Sequence, residues 1–181
     1  MELYDAIFKR KSTREYSMNE LSENEVERIE NEVTSVDKLF EDSKIGLQIL
    51  HYEEVEDFIS GLVGSYGKIE APHYILASTP EGKNHLVNLG YTLEKIVLEI
   101  TRMEIGTCWM GSHFDKDDLK ENFVTDGELV PTALIAFGNS DKNVRRSNPN
   151  EASRKDLSEI IREGKSNLSE DWSNIIDAAR M

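Results

Sequence analysis

The residues best suited to binding chemistry form a short basic run near the N-terminus of the 181-residue chain. Residues 10–14 read Arg-Lys-Ser-Thr-Arg, so two guanidinium groups, one ammonium group and two hydroxyls come together. Arginine presents a planar fork that matches phosphate oxygens, and a hydroxyl or a backbone N–H can complete such a cradle. The run also follows a helix predicted for residues 3–9, where cations interact favourably with the helix dipole. The sequence alone leaves both interpretations open.

Other side chains offer less chemistry. The chain has no GxSxG, phosphate-loop, HExxH or GxGxxG motif, and its four histidines lack the i,i+4 spacing of a helical metal pair. We therefore predict no metal site and name no catalytic residue. Cys108 has no positive group near it in sequence and is interpreted as a small core residue.

Composition excludes several classes of protein. The net charge is -14, from 35 acidic and 21 basic residues, which disfavours nucleic-acid binding. No apolar run is long enough for a membrane span, and the charged N-terminus is unlike a signal peptide. A single cysteine cannot form a disulfide within the chain. A cytoplasmic location is the simplest expectation.

The first elements needed to position these groups are predicted from caps and periodicity. Ser22 and Glu25 form a capping-box pattern that starts a helix ending near Val36. Residues 45–50 are predicted to be a strand, and residues 53–62 another helix.

The middle of the chain carries the clearest pattern. Residues 72–79 and 130–138 are apolar runs predicted as strands, the first of them central. A long helix is predicted over 84–105, with Gly106 at the C′ position. Residues 107–111 are predicted to be a short strand or turn, followed by a helix from a cap at Asp115 to Phe123.

After Gly138 the composition changes to an exposed, polar stretch. We expect a helix around residues 157–161 and a last helix capped by Ser169. That last helix places apolar residues on one face, which would be exposed unless a second chain covers it: Trp172, Ile175, Ile176 and Ala179.

Five segments, taken in order, resemble the FMN-dependent nitroreductase family. RKSTREY at 10–16 looks like the family's RRSxRxF signature, and TCWMG at 107–111 matches its GLGSCWIG segment. The other three are the stretch before the central strand (67–75), the long core helix (88–106) and the closing strand with the basic residues after it (130–146). Each motif alone is weak, but five in order across residues 3–146 are fairly specific.

The resemblance implies an α+β fold in which a mainly antiparallel central sheet is flanked by helices. It also implies a homodimer with FMN at the subunit interface. In that family the flavin takes a hydride from NADH or NADPH and passes it to a nitroaromatic, a quinone or a related acceptor. The flavin ring performs the redox chemistry, and the protein supplies placement and electrostatics.

Carried over by position, the resemblance names three groups of cofactor-binding residues. The FMN phosphate and ribityl chain would be held by Arg10, Lys11, Ser12 and Arg14. A second phosphate clamp would be formed by Arg145 and Arg146. The backbone of Trp109, Met110 and Gly111 would face the flavin ring, where an N–H can stabilise charge on the reduced form.

One family segment is missing. The usual member has an APSxxNxQPW segment after its early helix, whose asparagine contacts the flavin, but residues 34–50 here read TSVDKLFEDSKIGLQIL. The Thermotoga-type subgroup, with two nitroreductase-like halves in one chain, lacks that segment in its first half. We therefore interpret residues 1–146 as such a first half, and 147–181 as a linker and the first helices of a second, so that two chains would have to associate.

Three alternatives remain. The chain could be a non-catalytic flavin or nucleotide-phosphate binding module on the same fold. It could be an incomplete domain that is active only with a missing C-terminal half. It could also be a structural remnant whose last helix serves as a dimer contact.

Overall fold

The computed structural model describes residues 1–59, 69–110, 116–124, 126–161 and 169–181. Within them lie seven helices and four strands, and a 3₁₀ turn at Pro149–Ala152 precedes α6. In chain order they are α1 Leu3–Lys9, α2 Glu23–Ser35, β1 Gly46–His51, α3 Tyr52–Ile59, β2 His73–Thr79, α4 Lys83–Arg102, β3 Gly106–Met110, α5 Lys116–Phe123, β4 Val130–Gly138, α6 Leu157–Ile160 and α7 Glu170–Arg180. The predicted end of α3 at Leu62 and the predicted cap of α5 at Asp115 lie outside the described residues.

The four strands form one antiparallel sheet in the order β1-β2-β4-β3. Ile75 of β2 lies opposite Ile49 of β1 on one side and opposite Ile135 of β4 on the other. Every residue of β2 is buried, which explains its continuous apolar run, because a strand covered on both faces has no solvent side. The predicted α+β class, the antiparallel sheet and the central position of β2 are confirmed.

Helices cover both faces of the sheet, so the sheet separates two apolar cores. Leu93 and Ile100 of α4 pack on one face, while Val55 of α3 and Leu119 of α5 pack on the other. Leu86, at the start of the predicted buried face of α4, is exposed, so that face begins about one turn later.

Helix ends follow the local sequence in one case and depart from it in another. Helix α2 begins with the predicted capping box: Glu25 N–H donates to the Ser22 hydroxyl, and Ser22 N–H donates to the Glu25 carboxylate at 2.9 Å. Helix α4, however, ends at Arg102, and Glu104 takes the left-handed conformation, with φ 66°. The prediction that Gly106 occupies the C′ position is therefore wrong; Gly106 begins β3.

The chain beyond Arg146 contains no buried residue among those described. The Ser169 hydroxyl caps α7 as predicted, by accepting the Trp172 N–H. Trp172 and Ile175 are 59% and 56% exposed, while Ile176 is half-buried. The predicted apolar stripe thus lies mostly on the outer surface of the helix.

None of the helices in the described part of the chain combines the length and apolar character of a membrane span.

Candidate functional site

The strip of residues 10–13 runs along the free edge of β3. Thr13 N–H donates to the Thr107 carbonyl at 2.9 Å, and Ser12 forms a parallel bridge with Thr107. Gly106 makes this approach possible, because a Cβ there would lie only 2.7–2.9 Å from side-chain atoms of Thr13. The glycine is therefore required by packing rather than by backbone conformation.

The other side of the strip meets a second basic run, which contains Arg145 and Arg146. Arg10 forms an antiparallel bridge with Arg145, and Arg146 N–H donates to the Lys9 carbonyl at 2.8 Å. The two basic runs, about 135 residues apart in sequence, are thus brought side by side by backbone hydrogen bonds.

A cleft of about 390 Å³ opens where the two runs meet. Its lining contains three cations and one carboxylate: Lys11, Ser12, Arg14, Arg146, Glu151 and Ala152. A second opening of about 250 Å³ shares three of these residues and is lined by Lys11, Ser12, Thr13, Arg14, Glu15, Ser140, Lys142 and Asn143. The strip therefore presents its polar groups to two adjoining openings.

Two arginines, Arg146 and the half-buried Arg10, hold unsatisfied buried donors. Arg146 is 9% exposed, and its Nη1 is buried with no hydrogen-bond partner among the described residues. Nε and Nη2 of Arg10 are also buried and unpartnered there, while its Nη1 donates to the Ser12 hydroxyl at 3.3 Å. Buried donors without acceptors are costly and uncommon. Arg146 lines the cleft, so an anion bound there would supply an acceptor that its Nη1 lacks.

The charges around Arg146 also favour the binding of an anion. Burial lowers the pKa of the Arg146 guanidinium below its usual range, and the charges of Arg154 and Arg10 lower it further. Glu151 has the opposite effect on that pKa. Because arginine stays protonated in proteins, the cleft wall concentrates positive charge.

Arg145, predicted to share in a phosphate clamp, points elsewhere. Its guanidinium donates to the carbonyls of Thr101 (2.7 Å) and Arg102 (2.8 Å) and pairs with the Glu104 carboxylate at 2.5 Å. These are the last carbonyls of α4, where cations are favourable. The structure therefore brings Arg10, Lys11, Ser12, Arg14 and Arg146 together but uses Arg145 to cap a helix.

The segment predicted to face a flavin ring forms β3. The Trp109 indole N–H donates to the Glu94 carboxylate at 3.0 Å, and Met110 is buried in the core. Alternate residues of a strand direct their backbone groups to the same edge, so the backbone of Trp109 shares the edge of Thr107. Gly111 lies outside the described residues.

Cys108 is buried in the core, as predicted. No positive group lies near Cys108 in sequence, but the folded chain brings the charges of Arg14 and Arg10 close enough to act on the thiol. Both charges favour the thiolate, yet burial is the larger effect and raises the thiol pKa.

Two polar residues at the site were not singled out by the sequence reasoning. Tyr16, the last residue of RKSTREY, donates its hydroxyl proton to the Ala136 carbonyl at 3.2 Å, and burial raises its pKa. Glu151 lies in the polar stretch after Gly138, where no motif distinguishes it from its neighbours.

Metal ligation has no support in the part of the chain that the structure covers. No three His, Cys, Asp or Glu residues lie close enough there to hold an ion. His73 is fully buried and accepts the Leu21 N–H at Nε2, so its role within this part is structural.

The antiparallel sheet, the long helix α4 and the basic strip along the edge strand define a nitroreductase-like fold. The family model described as "Putative TM nitroreductase" matches residues 2–181, and the chain belongs to this family.

Solved structures agree on the fold. A nitroreductase family protein from Clostridium difficile 630 gives a TM-score of 0.70 at 18% identity, covering 93% of this chain and 100% of that chain. A nitroreductase family protein from Clostridium novyi NT gives 0.66 at 22% identity, covering 81% and 89%. An FMN-dependent nitroreductase from Clostridium difficile R20291 gives 0.67 at 14% identity, covering 90% and 98%. No curated protein matches the chain at a significant level.

Proposed function

We propose that the chain is an FMN-dependent oxidoreductase that transfers a hydride from NADH or NADPH to a nitroaromatic, a quinone or a similar acceptor. Family membership supports the class of enzyme. The observation that carries the cofactor assignment is the set of buried, unpartnered guanidinium nitrogens of Arg10 and Arg146 beside the cleft. FMN differs from riboflavin by the phosphate that such a site would bind.

The phosphate of FMN fits these groups chemically. Guanidinium nitrogens of Arg10 and Arg146, the Ser12 hydroxyl and the Lys11 ammonium offer charge-assisted donors to a dianion. Such bonds are strongest where solvent is excluded, as it is at the three unpartnered arginine nitrogens. Arg14 lines both openings and would contact the phosphate or the ribityl chain.

The flavin, when bound, supplies the hydride chemistry. The edge of β3 would orient the ring, because the backbone of Trp109 lies on that edge just beyond the residue that holds the basic strip. A backbone N–H there can stabilise negative charge on the ring. The hydrogen bond from Trp109 to Glu94 fixes the indole on α4 and keeps the strand in place. We assign no side chain as acid or base.

Residues 37–43, within the stretch where the usual family segment is missing, pack on α4. The Asn88 side chain donates to the carbonyl of Phe40 and accepts its N–H at 2.9 Å, and His85 hydrogen-bonds to the Ser43 hydroxyl. No residue of this loop lines the basic cleft. This supports the hypothesis that flavin contacts must come from elsewhere, as in the two-half subgroup.

A homodimer would supply such contacts. The exposed Trp172 and Ile175 of α7 form an apolar stripe that a second copy could bury. We further propose that residues 147–181 act as an appendage of the 1–146 domain and that the protein works in the cytoplasm. A single mass equal to one chain in sedimentation would contradict the dimer.

The test is the visible spectrum of the purified protein after incubation with FMN and gel filtration. The wild type should retain flavin. Replacing Arg10 or Arg146 by alanine should weaken FMN binding roughly tenfold to a hundredfold, the usual range for a lost charge-assisted bond. Arg28→Ala removes the same charge from the exposed surface of α2 and should leave retention unchanged. Equal retention in all four proteins would reject the cradle.

Addition of NADH or NADPH to the flavin-loaded protein separates the enzyme from a binding module. Bleaching of the flavin absorbance, followed by recovery on adding a quinone, is expected for the oxidoreductase. Retained flavin that neither dinucleotide bleaches would favour the alternative, a non-catalytic flavin or nucleotide-phosphate binding module.

A further inference from the structure

We propose that the Glu151 carboxylate acts as an internal anion in the basic cleft. This carboxylate competes with a phosphoryl group and thereby lowers the affinity of the cleft for phosphomonoesters. The inference rests on the proposed function, because it concerns the regulation of the same site. It assigns to Glu151 a role in setting ligand affinity rather than a role in the chemistry.

The position of Glu151 is unusual for a surface carboxylate. It lines the cleft beside Lys11, Ser12 and Arg146, among the groups that would hold an anion. Arg146 itself is buried, and its Nη1 has no partner in the described residues. The cleft therefore combines an unsatisfied cationic donor with a negative charge on its wall.

Local hydrogen bonds hold the carboxylate there. The two Glu151 oxygens accept the Ser147 N–H at 3.2 and 3.3 Å, and one accepts the Asn148 side-chain amide at 3.3 Å. Ser147 directly follows Arg146, which lines the cleft. These bonds therefore keep the Glu151 carboxylate on the cleft wall, where an arriving phosphate would meet it.

The charge acts independently of these bonds. Glu151 is the acidic group that counters the effects of burial, Arg154 and Arg10 on Arg146. A phosphate dianion entering the cleft would meet this carboxylate as a like charge, and like charges at short range repel. Removing the charge while keeping the acceptor should therefore tighten phosphate binding.

The experiment compares full-length wild type with Glu151→Gln. Calorimetric titration with inorganic phosphate at low salt, and absorbance titration with FMN and with riboflavin, give three affinities. Glu159→Gln is the matched control, because Glu159 is also exposed and also accepts a backbone N–H, that of Asp156. Glu151→Ala removes both the charge and the acceptor.

We expect Glu151→Gln to bind phosphate and FMN about three- to tenfold more tightly than wild type, a Coulomb effect in a partly solvated site. Glu159→Gln should match wild type, and riboflavin, which has no phosphate, should bind all proteins equally. Tighter phosphate binding without any FMN retention would leave this inference standing and reject the proposed flavin function.

Other outcomes overturn the inference. Equal or weaker phosphate binding by Glu151→Gln would do so, as would absence of phosphate binding in both proteins. A loss of affinity in Glu151→Ala with no change in Glu151→Gln would assign the residue to the turn alone. Phosphate binding that appears only in Glu151→Gln would support the competition most directly.

Discussion

The two segments beside the cleft, residues 10–21 and residues 147–154, are held in different ways. Residues 10–21 are attached to the sheet along their length: Thr13 bonds to Thr107, Tyr16 to Ala136, Ser17 to Asn139 and Leu21 to His73. Residues 147–154 form a 3₁₀ turn and contain no buried residue, and their long-range hydrogen bonds are exposed: Lys9 Nζ donates to the Ser147 carbonyl, and Arg154 donates to the Met181 carbonyl. On the proposed function, the first segment would position the ligand, and Glu151 of the second segment would adjust the charge around it.

The largest effect should come from Gly106, where the first segment is closest to the sheet. Gly106→Ala forces the buried Thr13 to move and should destabilise the protein by about 1–3 kcal/mol, the usual cost of overpacking. Gly90→Ala is the control, since nothing lies within 4 Å of a Cβ there. That helical substitution should stabilise the protein by about 0.5–1 kcal/mol. Urea denaturation measures both, and similar effects would refute the close approach.

The neighbouring residues Arg145 and Arg146 should affect different properties, the first the stability of the fold and the second the binding of phosphate. Arg145→Ala removes the cap on α4 and should cost about 1–2 kcal/mol of unfolding free energy. Arg146→Ala removes a guanidinium whose Nη1 has no partner among the described residues, and it should leave stability nearly unchanged while weakening phosphate binding. Denaturant unfolding and phosphate titration of both variants test this, and the opposite pattern would reverse the two roles.

The free energy of unfolding should depend on pH through the hydrogen bond between Leu21 and His73. Burial, followed by the charge of His51, lowers the pKa of His73, whose Nε2 accepts the Leu21 N–H. The unfolded chain therefore takes up this proton at higher pH than the folded chain does. The contribution is complete above the unfolded pKa of about 6.5 and is lost as the pH falls below it.

His73→Gln should accordingly show a shallower loss of stability between pH 7.5 and 5 than wild type, measured by urea denaturation at each pH. His85→Gln serves as the comparison, because His85, which lies on α4, contacts the Ser43 hydroxyl and not the first segment. A wild-type slope retained in His73→Gln would show that other groups cause the acid sensitivity.

The smallest effect is expected in the second segment. Ser153 adopts the left-handed conformation, with φ 49°, next to the 3₁₀ turn. Ser153→Gly removes the steric cost and should raise the unfolding free energy by about 0.5 kcal/mol or less, since glycine also gains freedom in the unfolded chain. Thermal unfolding detects the change, and destabilisation would mean that the Ser153 side chain makes a contact that glycine loses.

Much of the fold could be predicted because its signals are local. The capping box at Ser22 and Glu25 involves groups three residues apart, and β2 is apolar along its whole length, so each signal is complete within a few residues. The end of α4 could not be predicted in this way. A glycine two residues after Glu104 suggested the cap, but the need for glycine came from Thr13, which is distant in sequence.

The candidate site shows the same difference between local and long-range signals. By residue type and order, the sequence determined that two basic runs and a short segment after the long helix belong to a nitroreductase-like chain. Only the tertiary structure decided that Arg146 lies beside the strip of residues 10–13, that Arg145 caps α4 and that Glu151 lines the cleft. The physical reason is that side-chain direction and pairing depend on strand register and helix packing, and these arise from contacts between residues 44 to 135 positions apart.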